Sequence, residues 1–269
     1  MKKNENFDAY AKYRYTKNTK KTGKKGKVFA ILFVVFCLCV VVFFSISFSN
    51  FLVVGKIVNI NSSFIQDKHT LFALSLASFD NASLANQKSL EQQKQGGAGF
   101  VFQTNGAYKV LSSIYPSQKD CQKVASNLGD AGLEAEIIEL TLPAVNLKIN
   151  LSSSSSQIFG EGLNLFFKNY QTLYSLSLDF DKQNIDAIKL KSEIKNLQEN
   201  NLKVVNDFSN HFLRSSNVSV LYAKIYLNKI NTNLENLIST DESVNLSSTI
   251  KQTYCKIIND YLTFCKEIA

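Results

Sequence analysis

Residues Val28 to Val54 run for 27 positions without a charged side chain, directly after a lysine-crowded tail. As a helix at about 1.5 Å per residue this stretch is roughly 40 Å long, more than the ~30 Å hydrocarbon core of a bilayer. A helix satisfies its own backbone hydrogen bonds where lipid offers none. A cleavable signal peptide would carry an apolar region of about 7–15 residues and a small-residue cleavage site, and neither is present. The run predicts an uncleaved N-terminal transmembrane helix over 28–54 that contacts membrane lipid.

Charge orients that helix. Residues 1–27 hold ten lysine or arginine side chains against Glu5 and Asp8, and the rest of the chain is balanced, so the net charge of +8 lies in the tail. The positive-inside tendency keeps the tail cytoplasmic and puts the chain after residue 54 outside the membrane. The high pI therefore gives no reason to expect nucleic acid as a partner.

Composition divides the outer part. Residues 55–67 read as a linker, 68–142 as a mixed α/β domain, 143–156 as a serine-rich linker built on Ser152 to Ser156, and 157–269 as a helical domain. Consecutive serines bury no core and make a flexible spacer.

The α/β domain carries a weak internal repeat. Phe72-Ala-Leu-Ser-Leu-Ala-Ser-Phe79 returns 36 residues later as Tyr108-Lys-Val-Leu-Ser-Ser-Ile-Tyr115. Both copies alternate as half-buried strands do, with Phe72, Leu74 and Leu76 on one side. Each leads through a polar turn into a helix capped by Asn81 or Ser83, and by Ser117. Cys121, Val124, Ala125 and Leu128 give the second helix an apolar stripe that ends near Gly129 or Gly132. Further strands follow at Phe100 to Gln103 and Ala135 to Leu142, and Asn105-Gly106 signals a hairpin. The order β-α-β-β-α-β is the split plan of a four-stranded antiparallel sheet with both helices on one face. With the transmembrane helix and a C-terminal all-α bundle, the fold class is α+β.

These residues resemble a SPOR domain. The likeness rests on paired strand–helix copies with an aromatic at each strand end, on Gly132-Leu133 at a helix end, and on a span of about 75 residues. The resemblance implies binding to bacterial peptidoglycan glycan strands, in cell division or sporulation. The departures are Ser75 where the family has Gln, Ala77 and Ser113 where it has Gly, and Ile114 where it has Pro.

On this plan the sheet face away from the helices would carry Ala73, Ser75, Ala77, Gln103, Lys109, Leu111 and Ser113, with Tyr115 as the aromatic for stacking on a sugar. Small residues leave room for a glycan near the backbone, and the polar ones can bond hydroxyls and acetamides. An ordinary solvated face, or one packed on the C-terminal helices, would account for the same pattern. Tyr and Phe at strand ends also serve as core.

Residues 157–269 read as three to four amphipathic helices of an antiparallel bundle, broken near Asp179 to Asp181, Ser215 to Asn217 and Ser239 to Ser243. Apolar stripes include Ile185, Ile188 and Leu197, then Val218, Leu221, Tyr222 and Ile225, and most regularly Ile250, Tyr254, Ile257, Ile258, Tyr261 and Phe264. One stripe left exposed would serve a partner protein. His69 and His211 stand apart, no Cys-x-x-Cys occurs, and Cys255 and Cys265 lie about 15 Å apart on one helix, too far to bond each other. The sequence predicts no enzyme, no metal and no cofactor. Two functions follow: a membrane-anchored peptidoglycan binder, or a degenerate SPOR-fold adaptor whose helical domain binds another membrane or wall protein.

Overall fold

The computed structural model describes residues 64–104, 106–147, 152–240 and 245–268. The basic tail, the apolar run 28–54 and most of the linker expected at 55–67 lie outside them. Among the described residues no helix is long and apolar enough to cross a membrane.

The split plan is present. Strands β2 (His69–Phe79), β3 (Phe100–Thr104), β4 (Ala107–Tyr115) and β5 (Glu136–Leu142) form one antiparallel sheet in the order β3-β4-β2-β5. Helix α1 (Ala82–Lys94) lies across β2, β3 and β4, and α2 (Gln118–Asp130) across β2, β4 and β5. Both caps fall where the sequence put them. Asn81 Oδ1 accepts from the Ser83 N–H at 2.7 Å, and Ser117 Oγ from the Asp120 N–H at 3.3 Å. These bonds satisfy amides that the first helical turn leaves open. The β3–β4 hairpin closes between Thr104 and Ala107, with Gly106 at φ +89°. Cys121, Val124, Ala125 and Leu128 pack on Phe72, Leu74, Leu76 and Tyr115, as their spacing requires.

Two features depart from the expected alternation. Strand β2 shifts register against β4 between Leu74 and Ser75 and again between Ser75 and Ala77, so side-chain direction does not simply alternate there. A second, two-stranded ribbon pairs β1 (Phe64–Gln66) with β6 (Val145–Leu147).

The serine-rich linker is corrected. Ser152 caps a helix by accepting from the Ser155 N–H at 3.2 Å, and α3 (Ser153–Asp181) takes the remaining serines into its first turns. A serine hydroxyl at a helix start satisfies a free amide, which outweighs the spacer tendency of the same residues. Helices α4 (Ala187–His211), α5 (Val218–Ile238) and α6 (Leu246–Glu267) complete a four-helix antiparallel bundle. Its direction is fixed by Phe159 against Phe208, Phe166 against Tyr261, and Tyr226 against Phe264. A buried asparagine pair, Asn201 donating to Asn169 at 2.6 Å, holds α4 and α3 in register.

The two expected outer domains are also corrected. One continuous apolar cluster runs from Leu71, Ala73, Leu111, Ile114 and Leu142 of the sheet through Phe166, Tyr170, Tyr254 and Ile257 of the bundle. Four expected core positions lie outside it. Ile188 is 82% exposed, and the Val218–Leu221–Ile225 stripe faces outward while Val220, Ala223 and Leu227 face in.

Gly162 marks a close contact between helices. A Cβ there would lie 2.8 Å from Phe208 and 3.1 Å from Leu227. Gly162→Val is expected to destabilise the protein by about 2–3 kcal/mol in chemical denaturation through overpacking. Gly129→Ala, in a helix with nothing within 4 Å of the added carbon, should instead be neutral or stabilising by up to about 1 kcal/mol.

Candidate functional site

The candidate site is the sheet face expected to bind glycan, and the structure fills it from within the chain. Five of its eight residues are buried: Ala73, Ser75, Leu111, Ser113 and Tyr115. Ala77 and Lys109 are half-buried, and Gln103 alone is exposed. The expectation of an open face is corrected for those five.

The occupants are tyrosines. Tyr170 of α3 donates its hydroxyl to the Ile114 carbonyl at 3.2 Å, beside Ala73, the residue paired with Ile114 in the neighbouring strand. Tyr254 of α6 places its hydroxyl 2.5 Å from Ser113 Oγ. Ring contacts then join Tyr170 to Tyr254, Tyr254 to Tyr174, and Tyr174 to Tyr115. The small side chains that left room for a sugar leave room for these rings, at the close packing that protein interiors reach. Burial pushes the hydroxyls of Tyr115, Tyr170 and Tyr254 well above the usual tyrosine range, so they stay protonated and able to donate. Tyr115, expected to stack on a ligand, lies on the opposite cluster with Leu74 and Cys121.

Polar contacts seal one rim of this junction. The Gly96–Gly97 turn presents two carbonyls to α6: Ser248 Oγ donates to Gly97 at 2.7 Å and Lys251 Nζ to Gly96 at 2.8 Å. Lys251 also pairs with Asp181 at the end of α3, 2.7 Å away. The expected domain boundary is therefore bonded across by both of its partners.

What remains open is the tip of the sheet. Lys109 reaches over β2 to Glu136 on β5, with both carboxylate oxygens within 2.6 Å. This pair is partly exposed, worth at most about 1 kcal/mol. Gln103 on β3 pairs with Tyr108, not Lys109, so it points to the opposite face of the sheet, which corrects the expectation that the two share one face. The residues that decide the face, Tyr170 and Tyr254, were legible in the sequence only as members of helical stripes; nothing in their spacing names a sheet as their neighbour.

The histidines and cysteines outside this face have local surroundings of their own. His211 Nε2 lies 2.7 Å from Ser155 Oγ, which also meets Ser152 Oγ at 2.8 Å, so this exposed pair belongs to the start of α3. His69 rests on the ring of Phe167. Cys121, Cys255 and Cys265 are free and buried. Among the described residues no three histidine, cysteine or carboxylate side chains converge as metal ligands.

No protein-family model matches the chain. No curated protein sequence matches it either. Among solved structures, the solution structure of the peptidoglycan-binding domain of the B. subtilis cell wall lytic enzyme CwlC is similar to 28% of this chain and 95% of that one. The identity is 20% and the TM-score 0.25. A likeness at that score transfers no function.

Two outcomes test the junction. Ser113→Ala, which leaves the fully buried Tyr254 hydroxyl without that partner, should cost about 1–3 kcal/mol in denaturant. Adding Tyr254→Phe should cost less than the two single changes summed, giving a measurable coupling in a double-mutant cycle. Asp260, in the bundle beside Asn233, has its pKa raised by burial against the pull of Lys229 and Lys256. With the folded pKa above the unfolded one, the ionised carboxylate costs stability at neutral pH, and that cost disappears as pH falls through the folded pKa. Asp260→Asn should therefore raise the melting temperature at pH 7, and the gain should shrink as the solution is made acid.

Proposed function

We propose that this chain is a single-pass, membrane-anchored, non-catalytic adaptor of the bacterial cell envelope: a SPOR-like sheet whose ligand face has been given over to its own C-terminal helices, and whose partner is another envelope protein. The observation that carries this reading is the filled sheet face, with Ser113 bonded to Tyr254 and Ala73 and Leu111 in the shared core. The anchor and the outer location rest on the uncharged run 28–54 and the basic tail before it.

Magnitude decides against a gated glycan site. Re-exposing Leu71, Leu111, Ile114 and Leu142 alone would cost about 6–12 kcal/mol at roughly 1.5–3 kcal/mol for each side chain. The net stability of a typical domain is about 5–15 kcal/mol. A glycan that displaced the bundle would have to supply as much as holds the whole fold together. Protein contacts instead fall on outward helix faces, where Leu84 and Leu90 of α1 are 50% and 59% exposed.

A second reading keeps peptidoglycan as ligand at the sheet tip. The observation in its favour is that Gln103 is exposed and the Lys109–Glu136 pair is partly exposed near the same end of the sheet. Co-sedimentation of residues 59–269 with peptidoglycan, intact and amidase-stripped, separates the two. The adaptor reading expects the protein to stay in the supernatant with both. Binding that rises on stripping and is lost in Gln103→Ala/Lys109→Ala would establish the second reading and remove the first.

A further inference from the structure

We infer that one end of the bundle rests on the membrane surface through Leu213, Val218, Leu221 and Ile225, an inference that rests on reading 28–54 as the anchor. These side chains are 73%, 59%, 44% and 50% exposed. Val218, Leu221 and Ile225 stand at i, i+3 and i+7 and so share one face of α5. Leu213 lies in the turn before that helix. Lys224 Nζ donates across to the Phe212 carbonyl at 2.6 Å, folding the turn back beside the same stretch of α5. Exposed apolar side chains gathered in this way mark a contact surface.

The charges around them suit a lipid headgroup region. Arg214 is exposed within the turn, and Lys266 is exposed in the last turn of α6, at the end where Glu267 bonds Tyr222 of α5. Apolar side chains flanked by cations sink into the interface while the charges stay at headgroup level. Of the acids near this end, Glu267 is engaged by Tyr222, and Asp207 is exposed one turn before the end of α4.

The entry point of the chain selects this occupant. Ser155 against His211 and Phe159 against Phe212 put the start of α3 and the end of α4 at the same end of the bundle as Leu213. Strand β6 stops at Leu147, five residues before the Ser152 cap, and its partner β1 packs on α3. Residues 55–63, between the apolar run and β1, span at most about 32 Å fully extended. A tether that short makes the bilayer the nearest surface available to the residues after it. A second copy is the poorer occupant, since a stable dimer needs roughly 800 Å² from each partner, far more than four part-exposed aliphatic side chains offer.

The test uses residues 59–269, a unit compact in itself and holding the whole described core. Mixed with vesicles of phosphatidylglycerol and phosphatidylcholine, it should co-float with the lipid. Leu213→Glu/Ile225→Glu should lower the bound fraction at least tenfold, and Leu213→Ser/Ile225→Ser several-fold. Neither pair should change the circular dichroism or abolish cooperative melting, because the two substituted side chains, Leu213 and Ile225, are at least half exposed. Wild-type protein that stays with the aqueous phase overturns the inference. So does binding indifferent to these substitutions, or a dimer that the same substitutions abolish. The fragment lacks 28–54, so its failure would leave the anchor reading to its own test, the resistance of the full chain to alkaline carbonate extraction.

Discussion

The architecture depends on burying one face of a four-stranded sheet beneath helices α3 and α6. A sheet covered by helices on one side only would leave Leu71, Leu111, Ile114 and Leu142 in water. Two long helices and the ring cluster of Tyr170, Tyr174 and Tyr254 remove them from it. The bundle gains in turn, because α6 uses Tyr254 and Ile257 toward the cluster it shares with the sheet and Phe264 toward α3 and α5. Sheet and bundle therefore form one cooperative unit, and this unity bears directly on function.

A binding face and a packing face draw on the same residue types. Small side chains at Ala73, Ser75 and Ser113 admit either a sugar or an aromatic ring from the same chain. Ser113 could bond a glycan hydroxyl as readily as it bonds the hydroxyl of Tyr254. In this structure the ring is the occupant: a tyrosine held by its own chain has a high effective concentration, and burial of the apolar residues around it contributes several kcal/mol. Ser75 and Ser113 are buried in this region, and Ala77 is half-buried at its border.

Much of the local structure was legible. Caps at Asn81 and Ser117, the Cys121-to-Leu128 stripe, the hairpin before Ala107 and the order of strands and helices all follow from short-range chemistry. Where the reading failed, a local signal had two outlets. Ser152 to Ser156 carry spacer composition and capping chemistry together, and the helix that follows decides between them. Val218, Leu221 and Ile225 share a helical face with a core-like pattern, yet the orthogonal set Val220, Ala223 and Leu227 is the one that meets the other helices. Periodicity reports that a face is apolar and leaves open what covers it.

The sequence alone determined most element types and their order, the caps of α1 and α2, and the charge asymmetry across the uncharged run 28–54. Those properties depend on residues within a few positions of one another. Only the tertiary structure decided that the sheet face is filled, that the serine run starts a helix, and that sheet and bundle share a core. Each of those depends on pairings such as Ser113 with Tyr254, separated by 141 positions, where shape and burial select the partner and no local pattern announces it.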